Sequence, residues 1–296
     1  MISINKEPRF GLKSNWSAAL ELLAARPIVL MPFLVLALIQ GLFLELLYFS
    51  SRRPLSFIAD PLIRKFFGAG FTHYPAELIL LPKLFAYAST LIYITAGIFL
   101  TAVCVEIIKR AKEDSSFDTG DIIRDNGKRY TTFLIYGVIA TLAVYLAKRG
   151  NAFVFSLFYK LLASRLPEAV PGTVPAATTF FMPMALFLTI VVLHVFLLLV
   201  IPIIVIRGGT LWKAIVKSVS MGLRNFSYIF PLIIVPYLVY LPVFIMKANS
   251  ARLAKLVFPE VILIITAAGI IVSMFVDCFV VICATEFLLK TTKKDS

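Results

Sequence analysis

The polar positions of this chain are gathered into short intervals, and between them lie six long apolar stretches. These are Pro27–Phe49, Lys83–Ile108, Thr131–Ala147, Thr178–Ile206, Ser227–Met246 and Leu256–Leu289. A helix of roughly 20 apolar residues crosses the hydrocarbon of a bilayer, so each stretch predicts a transmembrane helix, the longest of them tilted or extending beyond the lipid. The pattern predicts an all-α polytopic membrane protein with six transmembrane helices, in a single transmembrane domain covering residues 1–296.

Amphipathic lead-ins stand before the odd-numbered stretches. They run from Asn15-Trp16-Ser17 to Arg26, from Asp118 to Arg129 through Ile122-Ile123, and from Leu211-Trp212-Lys213 to Arg224. Each predicts a short helix in the cytoplasmic interface, with tryptophan or isoleucine toward the acyl chains and charge toward water. Arg26, Arg129 and Arg224 are 103 and 95 residues apart, and Pro32 and Pro231 follow the first and third of them at similar distances. The ends of stretches two and six also echo one another, as Cys104-Val105-Glu106 and Cys283-Ala284-Thr285-Glu286. Lead-ins on one side and echoes on one side predict three parallel helical-hairpin repeats, approximately 14–110, 118–206 and 210–290, related by an axis along the membrane normal.

Composition sharpens this picture. Hydrophobic residues make up 60% of the chain, against roughly 45–50% in soluble domains. The formal charge of +13 excludes little by itself, but the Lys and Arg flank apolar spans, where anionic lipid is the partner at hand and nucleic acid is not. With the amino terminus inside, 17 Lys and Arg fall on the inner side and 11 on the outer, with Lys83 at a boundary; this predicts that both termini are cytoplasmic. Residues 1–26 lack the short apolar core of a cleavable leader, so the first span is expected to be a retained anchor. Leu55–Phe67 and Ala152–Leu166 read as outer interfacial helices or loops, and Pro167–Pro175 as an irregular connector. Cys104, Cys278 and Cys283 fall inside spans, which predicts reduced packing residues, not a disulfide or metal set.

Chemistry at membrane depth has few candidates. Asp277 lies well inside the sixth span with no Lys or Arg within a helical turn, so it is either a polar contact for a proton, cation or substrate, or a buried interhelical hydrogen bond. His194 sits near the centre of the fourth span, as a relay partner or as a neutral core histidine. Glu106 and Glu286 are spaced to pair with Lys109 and Lys290 on their own helices, and Glu45 is close to Arg52 and Arg53. Asp114, Asp118, Asp121 and Asp125 interleave with basic residues and do not have calcium-loop spacing, so they read as a solvated capping face. Phosphate-binding glycine loops, nucleophile elbows and HExxH motifs are absent, which predicts a protein that is not an enzyme and needs no cofactor.

The pattern Trp16, Ala18, Arg26-Pro27 and Pro32-Phe33, repeated loosely at Trp212, Ala214, Arg224 and Pro231, resembles bacterial six-span membrane families related to the membrane domain fused to some glycerophosphodiester phosphodiesterases. The resemblance implies a bacterial inner-membrane helical bundle with no assigned catalytic residues. The Pro-x-acidic-x-x-basic signature of mitochondrial carriers, which also have six spans in three repeats, is missing. The leading expectation is a non-enzymatic protein that organises anionic lipid or a membrane-protein partner, with Arg26, Arg129 and Arg224 as lipid-headgroup contacts. The alternative is a small-solute or lipid transporter whose polar path includes Asp277 and His194.

Overall fold

The computed structural model describes residues 11–49, 56–68, 74, 76–113, 118–165 and 173–295. Among them every regular element is helical. α1 (Leu12–Ala25) passes through a 3-10 turn at Pro27–Leu30 into α2 (Met31–Tyr48), and α3 (Ser56–Phe67) follows. α4 (Ala76–Ile92), a π-helical segment at Tyr93–Gly97 and α5 (Ile98–Lys112) are continuous. α6 (Thr119–Gly127) leads into α7 (Tyr130–Arg165). α8 (Thr173–Leu197) and α9 (Val200–Arg207) are separated by a short break; α10 (Leu211–Arg224) leads into α11 (Phe226–Ala248), and α12 (Ser250–Leu256) precedes α13 (Val261–Asp295).

Six of these helical stretches are long and apolar enough to cross a membrane, and they coincide with the six stretches read from the sequence. The differences lie at the ends. α7 does not stop near Ala147 but continues to Arg165, so the segment expected as a separate outer helix is a continuation of span three. No proline interrupts it, and its glycines, Gly137 and Gly150, each cost only about 1 kcal/mol in a helix interior. At 1.5 Å per residue it is about 54 Å long, beyond the roughly 30 Å of hydrocarbon. α8 begins at Thr173, so Pro175 is in its first turn, where the missing N–H costs nothing. The rest of the expected connector lies outside the described residues. Leu256 closes α12, and Pro259 stands between it and the sixth span.

Odd and even spans take different places. Of the most apolar stretch, 56%, 56% and 39% is buried in spans two, four and six, against 28%, 17% and 22% in spans one, three and five. The central group is α5, α9 and α13, which pack against one another. Each odd span fills a groove between two even ones: α2 lies on α4, α5 and α13, α7 on α5 and α8, and α11 on α8 and α13. Lipid is as apolar as leucine, so nothing drives the outward residues inward; Leu38, Leu142 and Val239 are more than half exposed. α7 reaches the second span through Gly137, where a Cβ would stand 2.8 Å from Ile98 Cδ1 and 3.1 Å from the Ile94 carbonyl oxygen.

The lead-in helices repeat this order, for α1 packs on α13, α6 on α5, and α10 on α8 and α9. They are docked to the bundle as well as amphipathic. α10 buries Ala214, Ser218 and Gly222, a stripe of small residues four apart that permits close helix approach. Ser218 Oγ donates to the Phe196 carbonyl oxygen at 2.6 Å, and a Cβ on Gly222 would sit 3.0 Å from both Phe196 Cδ1 and the Val195 carbonyl oxygen. Asn15 Nδ2 on α1 donates to the Cys283 carbonyl oxygen at 3.1 Å. Trp212 is 70% exposed as expected, whereas Trp16 is packed against the core and Ile122 is fully buried beside the half-exposed Ile123.

Polar groups clip the bundle together at this lead-in end. Lys112 Nζ, closing span two, meets Glu286 Oε1 of span six at 2.7 Å. Arg207 Nε, closing span four, donates to Thr292 Oγ1 of span six at 3.1 Å. Glu106 pairs with Arg110 at 2.9 Å and with Lys109 at 3.6 Å, the second as expected from spacing. Glu286 departs from expectation by reaching across to Lys112. Its side chain points into the interface of spans two and six and is buried there. Asp118 caps α6 by accepting from Gly120 N at 3.0 Å. The hydrogen bond from Lys128 at 2.8 Å, with the positive charges of Lys128, Arg124 and Arg110 around it, holds the Asp125 carboxyl below the usual carboxylate range.

Candidate functional site

Three local irregularities shape the interior of the bundle. Pro202 cannot donate to the Leu198 carbonyl, and the fourth span breaks at Leu198–Leu199, just after His194. The Tyr93–Gly97 segment inserts a π turn into the second span; such turns re-aim side chains and are frequent at functional sites. Gly97 is required there, because a Cβ would lie 2.8 Å from the Tyr93 ring. α11 carries Pro231, Pro236 and Pro242 in its interior, which a membrane helix tolerates when local adjustment and the neighbours on its packed face re-satisfy the freed carbonyls.

Where these irregularities meet, Asp277 and His194 come together, but not directly. Tyr237 of α11 stands between them. Its hydroxyl donates to Asp277 Oδ1 at 3.0 Å and lies 3.3 Å from His194 Nδ1, with the imidazole and phenol rings 5.5 Å apart. A phenol has one hydrogen, so with that hydrogen on Asp277 the second contact requires His194 Nδ1 to be the donor. The three residues come from α8, α11 and α13. They border a cavity of about 40 Å³ that is also lined by Tyr93, Thr101 and Tyr136, with Phe33 of α2 on its wall. A water needs at least about 10–15 Å³ of such volume, so the space suits two or three.

Two other polar groups on the wall are anchored to backbone. Tyr136 Oη donates to the Leu197 carbonyl oxygen at 2.8 Å, at the helix break, and Thr101 Oγ1 donates to the Gly97 carbonyl oxygen at 2.8 Å. Thus Tyr136 satisfies backbone at the break, and Asp277 is left as the acidic group of the cavity. No Lys or Arg lines it among the described residues. Tyr237, Tyr93 and Tyr136 were not singled out by sequence reasoning. They are 3 of 11 tyrosines in apolar surroundings, and nothing in their spacing marks them as facing Asp277.

The remaining candidates are scattered. Arg129 Nη1 donates to the Ile204 carbonyl oxygen at 2.8 Å, tying the start of span three to the end of span four. Arg26 is half-buried at the end of α1, and Arg224 is exposed at the end of α10. Glu45 is exposed; Arg52, Arg53, His73 and Asp114 lie outside the described residues. Cys104, Cys278 and Cys283 are free and buried, and the thiols of Cys104 and Cys278 approach one backbone oxygen, that of Val29, at 3.5 and 3.9 Å. Among the described residues no group of three or more His, Cys, Asp or Glu side chains converges as metal ligands would.

Comparison with protein-family models, with curated proteins and with solved structures found no match to this chain.

Proposed function

We propose that this chain is a non-enzymatic membrane transporter for a small solute, with a polar path that includes Asp277, Tyr237 and His194. One observation carries the reading: an aspartate, a tyrosine and a histidine from three different spans form one hydrogen-bonded chain on a water-sized cavity at mid-bundle. Ionisable groups are expensive at this depth, and a packing role for Asp277 needs neither a histidine two bonds away nor a cavity beside it. A helix break and a π turn border the same cavity, which gives irregular backbone where a path needs it. At about 40 Å³ the cavity is far too small for a lipid, so small solutes are the favoured class and passage requires the spans to rearrange.

The lipid-organising reading keeps support of its own. Trp212 and Leu223 of α10 are 70% and 64% exposed beside Lys213, Lys217 and Arg224, the composition of a helix that meets anionic headgroups. We place it second because such a helix also suits a transporter, whereas a lipid organiser has no use for the buried triad. In either reading the chain belongs in a bacterial inner membrane, its lead-in helices and termini on the cytoplasmic side.

Native mass spectrometry of the protein in lipid nanodiscs tests the choice. A bound non-lipid solute that is lost in Asp277→Asn, while the variant still inserts and folds, is the expected result. Retention of function in Asp277→Asn, together with loss of an enriched anionic lipid when Arg26, Arg129 and Arg224 are neutralised, would overturn it in favour of the organising role.

A further inference from the structure

The geometry points to the proton as a ligand of this site: His194, Tyr237 and Asp277 form a proton relay, so that one proton is taken up and released at the centre of the bundle. The inference rests on the transport reading for its purpose, but its chemistry stands on the hydrogen-bond chain alone. With the Tyr237 hydroxyl hydrogen on Asp277 Oδ1 and the imidazole hydrogen on Nδ1, every bond in the chain points toward the carboxylate. A proton arriving at His194 Nε2 balances in two transfers. The Nδ1 hydrogen passes to the Tyr237 oxygen, and the Tyr237 hydrogen passes to Asp277 Oδ1. Two N–H or O–H bonds break and three form; the chain gains the one proton that entered, and His194 ends as the Nε2–H tautomer.

Two features favour a proton over a metal cation. The cavity offers one carboxylate, and hard cations seek several oxygens, whereas imidazole nitrogen is a poor ligand for them. Among the described residues no Lys or Arg stands on the cavity wall beside the carboxylate, so a mobile positive charge is what compensates it. The titratable groups around Asp277 from the packed elements are Tyr93 of the second span and Tyr237 and Tyr240 of α11, with Lys247 Nζ of α11 donating to the Tyr240 hydroxyl at 3.4 Å, beyond the cavity wall; Tyr136 of α7 and His194 of α8 complete the surroundings. From α2 the wall receives only Phe33, and from α5 Thr101. The Cys104 and Cys278 thiols turn to the Val29 carbonyl.

The chain has two histidines, so His73→Gln in the full-length protein leaves His194 as the one imidazole. Ring nitrogen-15 NMR in nanodiscs then reads its tautomer and its titration. The relay requires the Nδ1–H tautomer at alkaline pH. It also requires Asp277→Asn to move the His194 midpoint by about one pH unit, a tenfold change in proton affinity. In a Tyr237→Phe background, Asp277→Asn should have no further effect. A midpoint indifferent to both substitutions, an Nε2–H resting tautomer, or a midpoint displaced by exchanging choline for sodium would overturn the relay. Should the variants fail to insert, infrared difference spectroscopy of the unsubstituted protein decides. A pH step must raise a protonated-carboxyl band together with imidazole bands, and separate transitions for the two would end the proposal. If no bound solute appears in mass spectrometry but the coupling is present, the relay stands and the solute reading falls. If a solute is bound and the coupling is absent, the reverse holds.

Discussion

The ion pair between Lys112 and Glu286 allows the bundle's construction to be tested with numbers. Glu286 has a side chain 4% exposed, while Lys112 is 41% exposed. Removing one partner of a fully buried pair costs about 3–5 kcal/mol, because the other charge is left without water or counter-ion. Water screens the lysine here, so the expected cost of Lys112→Met falls to about 2 kcal/mol, the desolvation of the stranded carboxylate. The converse change is milder. In Glu286→Gln the lysine swings into water and an acceptor oxygen remains, so the loss is about 1 kcal/mol or less. At about 2 °C per kcal/mol for a chain of this size, Lys112→Met lowers the melting temperature by about 4 °C and Glu286→Gln by 2 °C or less. The double variant should lie closer to Glu286→Gln, since no stranded charge remains. Lys290→Met, which breaks the pair expected from spacing along α13, should change the midpoint by about 1 °C at most. The assay is built in, for Cys104, Cys278 and Cys283 are free and buried, and a thiol-reactive fluorophore reports their exposure as the protein unfolds in detergent. Equal effects of Lys112→Met and Lys290→Met, or a double variant as unstable as Lys112→Met, would refute the account of how spans two and six are joined.

Other consequences are equally direct. Gly222→Val places methyl groups where Phe196 and the Val195 carbonyl already approach to 3.0 Å; it should destabilise by about 1–3 kcal/mol, whereas the same change at Gly41, which has open space around it, should shift the melting midpoint little. Asn15→Ala removes the bond to the Cys283 carbonyl, which still accepts within α13, so the cost should be about 1 kcal/mol in the same thermal assay. Arg129→Gln cuts the link to the Ile204 carbonyl and should lower the midpoint in lipid-free detergent as much as in anionic nanodiscs; a loss confined to anionic lipid would show that its main partner is a headgroup. In Tyr237→Phe the bridge from His194 to Asp277 is gone, so solute binding should fall as in Asp277→Asn, with binding unchanged if the tyrosine only packs.

The amino-acid sequence determined the class of structure because a bilayer leaves few solutions. Unpaired backbone is not tolerated in hydrocarbon, and each apolar stretch must therefore be a helix, with length and charge marking its ends. Amphipathic periodicity likewise located α1, α6 and α10; the turn between α9 and α10 is made by Gly208 and Gly209, both at positive φ, 70° and 102°. What it left open is which faces meet. Every side of a membrane helix is apolar, so the periodicity that marks a buried face in water is weak in lipid, and the inner place of the even spans was not legible. The same reason hides the site. Asp277 and His194 stood out as costly residues at depth, yet the tyrosine that joins them lies on a third helix, 40 and 43 positions away in the chain. Glu286 makes the point a second time: spacing offered Lys290 on its own helix, and packing supplied Lys112 from another. Composition and periodicity act along one helix, whereas the contacts that make a site are fixed by the rotation and crossing of several, and only the packed bundle decides those.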